Sequence, residues 1–241
     1  MTTPKPGAMV LDPAAAYRLW APTYPPVAHT PLMRLEERAV RALLPDVRHA
    51  MVVDVGCGTG RYLELARAGG AARLAGIDPS AAMLDRVRVP SARLVRASVE
   101  ALPLRSGIAD VTICALTLGH VPSLGRAFTE LGRIARPGGL LICSELHPIG
   151  ATLGWRRTFT AAGQRFAVRD AGHSLEAWLA ASAAAGWTLQ ERAEPVLQPG
   201  DLGNGQHVDP AAMRVPSALV LRFVRAGARL GPLGPSTESD A

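Results

Sequence analysis

A chain of 241 residues is long enough to build one α/β domain and to hide about 70 to 75% of its unfolded surface. Apolar residues make up 48% of it, but Gly and Pro interrupt them and no apolar run approaches the ~18 residues of a membrane helix, which argues against a membrane partner. The net charge of +6 does not mark a nucleic-acid partner, because Lys5 is the sole lysine and the arginines are dispersed, without a basic run or an interleaved aromatic platform.

Residues 1–11 are Pro-rich and polar and are expected to lack fixed structure. The first 17 residues carry no continuous apolar stretch of the secretory kind, so a cytoplasmic location is expected. The folded domain is expected at 12–226. It opens with a helical lid over 12–48, in which residues 31–44 place apolar side chains at helical spacing. Beyond the lid, short Val/Ile/Leu runs alternate with amphipathic stretches, the pattern of a parallel sheet covered on both faces. Strands are expected at 50–55, 73–77, 93–97, 111–116, 140–145, from Trp187 onward, and at 218–224. Helices are expected at 61–68, 80–87, 124–135 and 175–185, the third closed by the Arg-Pro-Gly-Gly of 136–139. Around 155–170 apolar positions alternate about Ala162-Gly163, which suggests a hairpin inserted after the fifth strand. Residues 227–241 form a Gly/Pro/Ser tail that is also expected to lack fixed structure. Cys57, Cys114 and Cys143 are odd in number and sit in apolar stretches, so they read as buried free thiols, with no metal site.

The informative segment is the run VVDVGCGTG at 52–60, an apolar strand that enters a glycine turn and then a helix. Only glycine lets the backbone turn that sharply and lets a ligand approach the main chain. Free N–H groups at the helix start favour a ligand's negative group. The spacing is G-x-G-x-G after an acid, which differs from the G-x-G-x-x-G of a pyrophosphate site. Asp78 ends the second strand, followed by Pro79 and Ser80, at the right distance along the chain to meet ribose hydroxyls, and it can serve the following helix as a cap as well.

These runs, together with RASVEALPL at 96–104, DVTICALTLGHV at 110–121 and LGRIARPGGLLICSELHP at 131–148, resemble the class I S-adenosylmethionine-dependent methyltransferases of the ubiquinone/menaquinone and small-molecule type. The resemblance covers residues 17–224, with the five segments in order. It implies an α/β, Rossmann-like seven-stranded sheet with the last strand antiparallel and helices on both faces, and S-adenosylmethionine as cofactor. It places Gly56 and Gly58 against the methionine portion, with Asp54 bracing the turn or reaching that portion through water. It also places Asp78 and Pro79 at the ribose, Ser98 and Val99 at the adenine, and Ala115 and Leu116 beside the sulfonium. Many relatives carry Asp where this chain has Ser98, a weaker acceptor. The segment from Tyr17 to Tyr24 is similar to the aromatic lid of these enzymes, whose ring faces attract a sulfonium; core packing of Tyr17 and Trp20 is the competing reading.

For the acceptor side, histidines at strand ends are the candidates for a general base, since strand C-termini rim the crevice in this architecture. His147 follows the fifth strand and is favoured as base or substrate anchor, with Glu145 orienting it; a loop histidine capping backbone groups is the alternative. His120 follows the fourth strand and is the second candidate, with a packed histidine at a helix entrance as the stronger alternative. His173 reads as a helix cap, and His207 falls in a Gly-rich loop. Trp155, Arg156 and Arg157 begin the inserted hairpin and either roof the acceptor pocket or face solvent. The expected activity is in-line methyl transfer from S-adenosylmethionine to O, N or C of a small-molecule acceptor, by a monomer or homodimer. The alternative is an S-adenosylmethionine-binding enzyme of the same fold that catalyses a non-methylating reaction such as a cyclisation.

Overall fold

Strands that bury Val, Ile and Leu on both faces need a helical layer on each side. The computed structural model describes residues 8–203, 208 and 210–227 and arranges them in that way. The tail from 228 onward and His207 lie outside the described residues.

The chain begins with strand β1 (Met9–Leu11) and helix α1 (Pro13–Trp20), whose first turn is capped by Asp12 accepting from the Ala15 N–H at 3.0 Å. A short 3₁₀ turn at Ala21–Thr23 leads to α2 (Pro31–Leu43), capped by Thr30 and started by Pro31. The alternating units follow: β2 (Met51–Val55), α3 (Arg61–Ala68), β3 (Arg73–Asp78), α4 (Ala81–Leu84), β4 (Ala92–Arg96), β5 (Ala109–Ala115), α5 (Leu124–Ile134) and β6 (Ala135–Leu146). A single-turn helix α6 (Ile149–Thr152) precedes the hairpin of β7 (Thr158–Ala161) and β8 (Gln164–Val168); α7 (Leu175–Ala184), β9 (Trp187–Ala193) and β10 (Ala218–Arg225) complete the chain.

The seven-stranded sheet has the order β4-β3-β2-β5-β6-β10-β9, with β10 antiparallel to both its neighbours. Chain order reverses on either side of β2, because β3 lies to one side and β5 to the other. In an open α/β sheet such a switch point leaves a crevice at the strand C-termini. One face is closed by α5 and α7, where Phe128 meets Trp178 and Phe223 edge to face at 6.0 and 5.9 Å. The other face is covered by Val40 of α2 and by Tyr62 and Leu63 of α3, packed on Val52 and Ile113. Among the described residues, no helix is long and apolar enough to cross a membrane. All three cysteines are buried and free.

A second, three-stranded sheet has the order β1-β8-β7. Its hairpin turns at Ala162 (φ 47°) and Gly163 (φ 73°), the pair of positive φ angles that a two-residue hairpin with the twist of its strands requires. Three segments differ from the sequence reading by more than two residues. Met9–Leu11 is paired in parallel with Phe166–Val168 and so belongs to the fold, although residues 1–11 are polar and Pro-rich overall. Strand β6 starts at Ala135, because Ala135 pairs with Ala109 across a register shift and the 136–139 segment bulges out of the ladder without ending it. Helix α4 ends at Leu84; the chain then turns at Asp85–Val87.

Candidate cofactor and acceptor site

At the C-terminal ends of β2, β3 and β5 lies a cavity of about 600 Å³, roofed by α1, the start of α2 and the foot of the β7–β8 hairpin. Its size is that of a small-molecule site. Asp54, Gly56, Gly58, Asp78 and Pro79 line it from β2 and β3; Ser98 and Val99 line it from the loop after β4. Ala115 and Leu116 come from the end of β5, and Tyr17 and Tyr24 from the roof. Residues expected at the cofactor, scattered over a hundred positions of sequence, thus border one space.

The bend after β2 owes its shape to two glycines with different neighbours. Gly56 (φ 74°) sits where a Cβ would lie 2.1 Å from Thr117 Oγ1, so the turn is pressed against the loop after β5. At Gly58 (φ 53°) a Cβ would meet nothing within 4 Å, because that position opens on the cavity. The Gly58 N–H donates to Asp78 Oδ2 at 2.9 Å, and the Ser80 N–H donates to Asp78 Oδ1 at 2.8 Å. Asp78 therefore faces the bend, and each oxygen keeps a lone pair for a further donor. Burial pushes its pKa up against these two backbone bonds.

Asp54 is 1% exposed, and its Oδ2 has no hydrogen-bond partner. Desolvation raises its pKa to about 8, with nearby Arg61 working against that rise. A buried unpartnered carboxylate oxygen on a cavity wall is a demand for a donor, and a cationic one meets it best. Ser98 Oγ accepts from the Glu100 N–H at 3.2 Å.

Beneath the roof, Glu36 of α2 is completely buried. It accepts from Arg61 Nη2 at 2.9 Å, from the Tyr62 hydroxyl at 2.7 Å and from the Ser144 hydroxyl at 2.5 Å. This network fixes α2 to α3 and to β6. Its signal in the sequence was a carboxylate on the otherwise apolar stripe of Leu32, Leu35 and Val40, and it went unread.

On the acceptor side the histidines separate. His147 does not line the cavity. Its Nδ1 accepts from the Ile149 N–H at 3.2 Å and its Nε2 meets Glu194 Oε1 at 3.1 Å, so the favoured base is corrected to a cap for α6. Glu145 does not orient it. One Glu145 oxygen pairs with Arg157 Nη2 at 2.7 Å, and the other accepts from the Gly119 N–H at 2.8 Å. His120 does reach the cavity, but both its nitrogens are engaged: Nδ1 with the Arg169 carbonyl at 3.0 Å, Nε2 with the Tyr17 hydroxyl at 3.0 Å and with Arg157. Burial first, and then the Arg157 charge, lower its pKa to about 3. It is a neutral, fully bonded ring and a poor base. His173 Nε2 meets the Val121 carbonyl at 2.7 Å, so the ring ties the start of α7 to the loop before α5.

The three residues at the foot of the hairpin divide as well. Trp155 is 4% exposed and packs with Leu32, Leu35 and Leu197; it leaves the roof because its ring fills a core. Arg156 is exposed at the cavity, whereas Arg157 is turned inward. Leu116 has φ 53°, a left-handed conformation that costs a β-carbon-bearing residue about 1–3 kcal/mol. Overhead, Trp20 stacks on Phe159 at 4.7 Å and Tyr17 lies edge-on to Tyr24 at 6.4 Å.

The comparisons with known proteins agree with this architecture. The family described as a methyltransferase domain matches residues 53–143. Human methyltransferase-like protein 27 is 33% identical over 172 residues, which are 67% of this chain and 69% of that protein. The malonyl-acyl-carrier-protein O-methyltransferase of Enterobacter lignolyticus is 38% identical over 135 residues, 55% of this chain and 53% of that one; the chain spans about half the length of that relative. An S-adenosylmethionine-dependent methyltransferase structure from Mesorhizobium loti shares the fold with a TM-score of 0.64, at 24% identity, over 79% of this chain and 98% of that one. The fold and the glycine bend define a Rossmann-like domain of the kind that holds an adenosyl group. The chain belongs to the class I S-adenosylmethionine-dependent methyltransferases.

Proposed function

We propose that this protein transfers a methyl group from S-adenosylmethionine to a small-molecule acceptor by in-line displacement. The observation that carries the reading is the pairing of Asp78 with the Gly58 N–H across a bend whose next wall is the unpartnered Asp54 oxygen. Asp54 would hold the ammonium of the cofactor's amino acid portion, the bend at Gly56 and Gly58 would lie along its chain, and Asp78 with Pro79 would hold the ribose hydroxyls. Ser98 and Val99 would border the adenine, with Ala115, Tyr17 and Tyr24 nearest the sulfonium. When bound, the cofactor supplies a methyl group already attached to a good leaving group, so alignment and exclusion of water by the protein provide much of the acceleration.

No histidine described at the cavity is poised to take a proton. His120 is bonded at both nitrogens, and burial raises the pKa values of Tyr17 and Tyr24. An acceptor atom that is nucleophilic without proton removal, such as a carboxylate oxygen or a neutral amine, needs none of these groups. The test is calorimetry with S-adenosylhomocysteine, followed by incubation with methyl-labelled cofactor and fractionated metabolites. Binding with label in a small molecule is the expected result. Absence of binding, or turnover of a substrate with no S-adenosylhomocysteine formed, would overturn the reading, and the second outcome would favour a cyclisation or another rearrangement.

A further inference from the structure

We infer that Arg157 is a positioning residue, which sets the backbone at the end of β5 and the Tyr17 ring of the lid in one fixed relation to the cofactor. This inference rests on the proposed methyl transfer. Arg157 comes from the foot of the inserted hairpin, yet its side chain is only 12% exposed. Its Nη2 donates to Glu145 Oε1 at 2.7 Å; its Nη1 donates to the Tyr17 hydroxyl oxygen at 2.9 Å and to the Leu116 carbonyl at 3.1 Å, and rests against His120 Nε2.

The proton arrangement follows from His120. Its Nδ1–H donates to the Arg169 carbonyl, which leaves Nε2 as the acceptor for the Tyr17 O–H. Tyr17 is thus a donor to His120 and an acceptor from Arg157, and its ring has one orientation that satisfies both. Leu116 is held in its left-handed conformation from two sides: the Ser144 carbonyl accepts its N–H at 2.8 Å, and Arg157 grips its C=O. Four elements, α1, the loop after β5, the end of β6 and the foot of the hairpin, meet at one planar fork. A lysine has the charge to pair with Glu145 but not the fixed geometry to reach Tyr17 and Leu116 together.

The test compares three proteins. Arg157→Gln alone strands the buried Glu145 charge and confounds folding with positioning. The doubly substituted Glu145→Gln, Arg157→Gln protein removes that charge, and Arg157→Lys retains the ion pair. Thermal unfolding, hydrogen exchange of α1 and of residues 116–120, and S-adenosylhomocysteine calorimetry are read on both and on the unsubstituted protein. In the doubly substituted protein and in Arg157→Lys, unfolding is expected within about 5 °C of the unsubstituted protein, with exchange of α1 and residues 116–120 about tenfold faster. Affinity for S-adenosylhomocysteine is expected to fall about tenfold, because the Tyr17 ring and residues 116–120 are no longer held in place. A doubly substituted protein with unaltered exchange and affinity would overturn the inference and leave Arg157 a mere partner for Glu145. If the unsubstituted protein binds no S-adenosylhomocysteine, the proposed function fails, and exchange in α1 and residues 116–120 still decides for or against Arg157.

Discussion

The two halves of the cavity are built on different physical principles. The half beneath β2 and β3 is made of backbone: a glycine bend, two main-chain N–H groups on Asp78, and carboxylates fixed by strands that are themselves buried. The half beneath the roof is made of side chains reaching across the fold, with Tyr17 meeting His120 and Arg157, and Arg157 meeting Glu145. A backbone-built pocket needs a few contiguous residues and tolerates no others. A side-chain-built pocket can be assembled by many combinations, which suits a surface that must be re-specified for each acceptor.

Substitutions that separate the halves test this contrast. The largest effect is expected from Gly56→Val, where positive φ and overlap with Thr117 add up to roughly 3 kcal/mol or more of destabilisation. The denaturant midpoint should fall and S-adenosylhomocysteine binding should disappear. Gly58→Ala, with open space at its Cβ, is expected to cost only about 1 kcal/mol in stability while still blocking the ligand; equal destabilisation by the two substitutions would break the distinction.

Next comes Asp78→Asn, for which affinity should drop about tenfold to a hundredfold through loss of charge-assisted bonds. Calorimetry on a variant of unchanged melting temperature checks it. A smaller effect concerns pH. Burial pushes the Asp54 carboxyl up to about 8 from its ordinary 3.8, so the folded state without ligand prefers the protonated form. Its contribution to stability is greatest below about pH 4 and is lost as pH rises towards 8. A ligand ammonium prefers the ionised form. Binding should therefore release a proton near neutrality and tighten until about pH 8. Asp54→Asn should flatten both dependences, as buffer-dependent calorimetric heats would reveal. The smallest effect belongs to His147→Ala. It should cost about 1 kcal/mol through the lost Ile149 cap and leave S-adenosylhomocysteine affinity unchanged; weakened affinity would return His147 to the site.

The same contrast explains what could be read from the sequence. Strand and helix positions in the sheet were legible because β-branched runs, glycine turns and caps are local signals, and helix 61–68 appears as α3 at those bounds. The cavity lining at Gly56, Gly58 and Asp78 was legible for the same reason. His147 misled because a histidine at a strand end can face the crevice or turn back to its own loop, and the Ile149 N–H and Glu194 that decide this lie outside the local pattern. Arg157 was illegible as a hub because Tyr17 and Leu116 lie far away along the chain, and the carboxylate of Glu36 on its apolar stripe does not say that Arg61, Tyr62 and Ser144 meet it. Met9–Leu11 was missed because three residues carry too little periodicity, and nothing local ties them to the expected hairpin at 155–170.

The pairing of those three residues with Phe166–Val168 also joins distant parts of the chain. Strands β2 to β6 pair among themselves, whereas β1 pairs with a strand more than 150 residues further along the chain. Among the described residues β1 has no other strand partner, so the hairpin is what ties the start of the roof into a sheet.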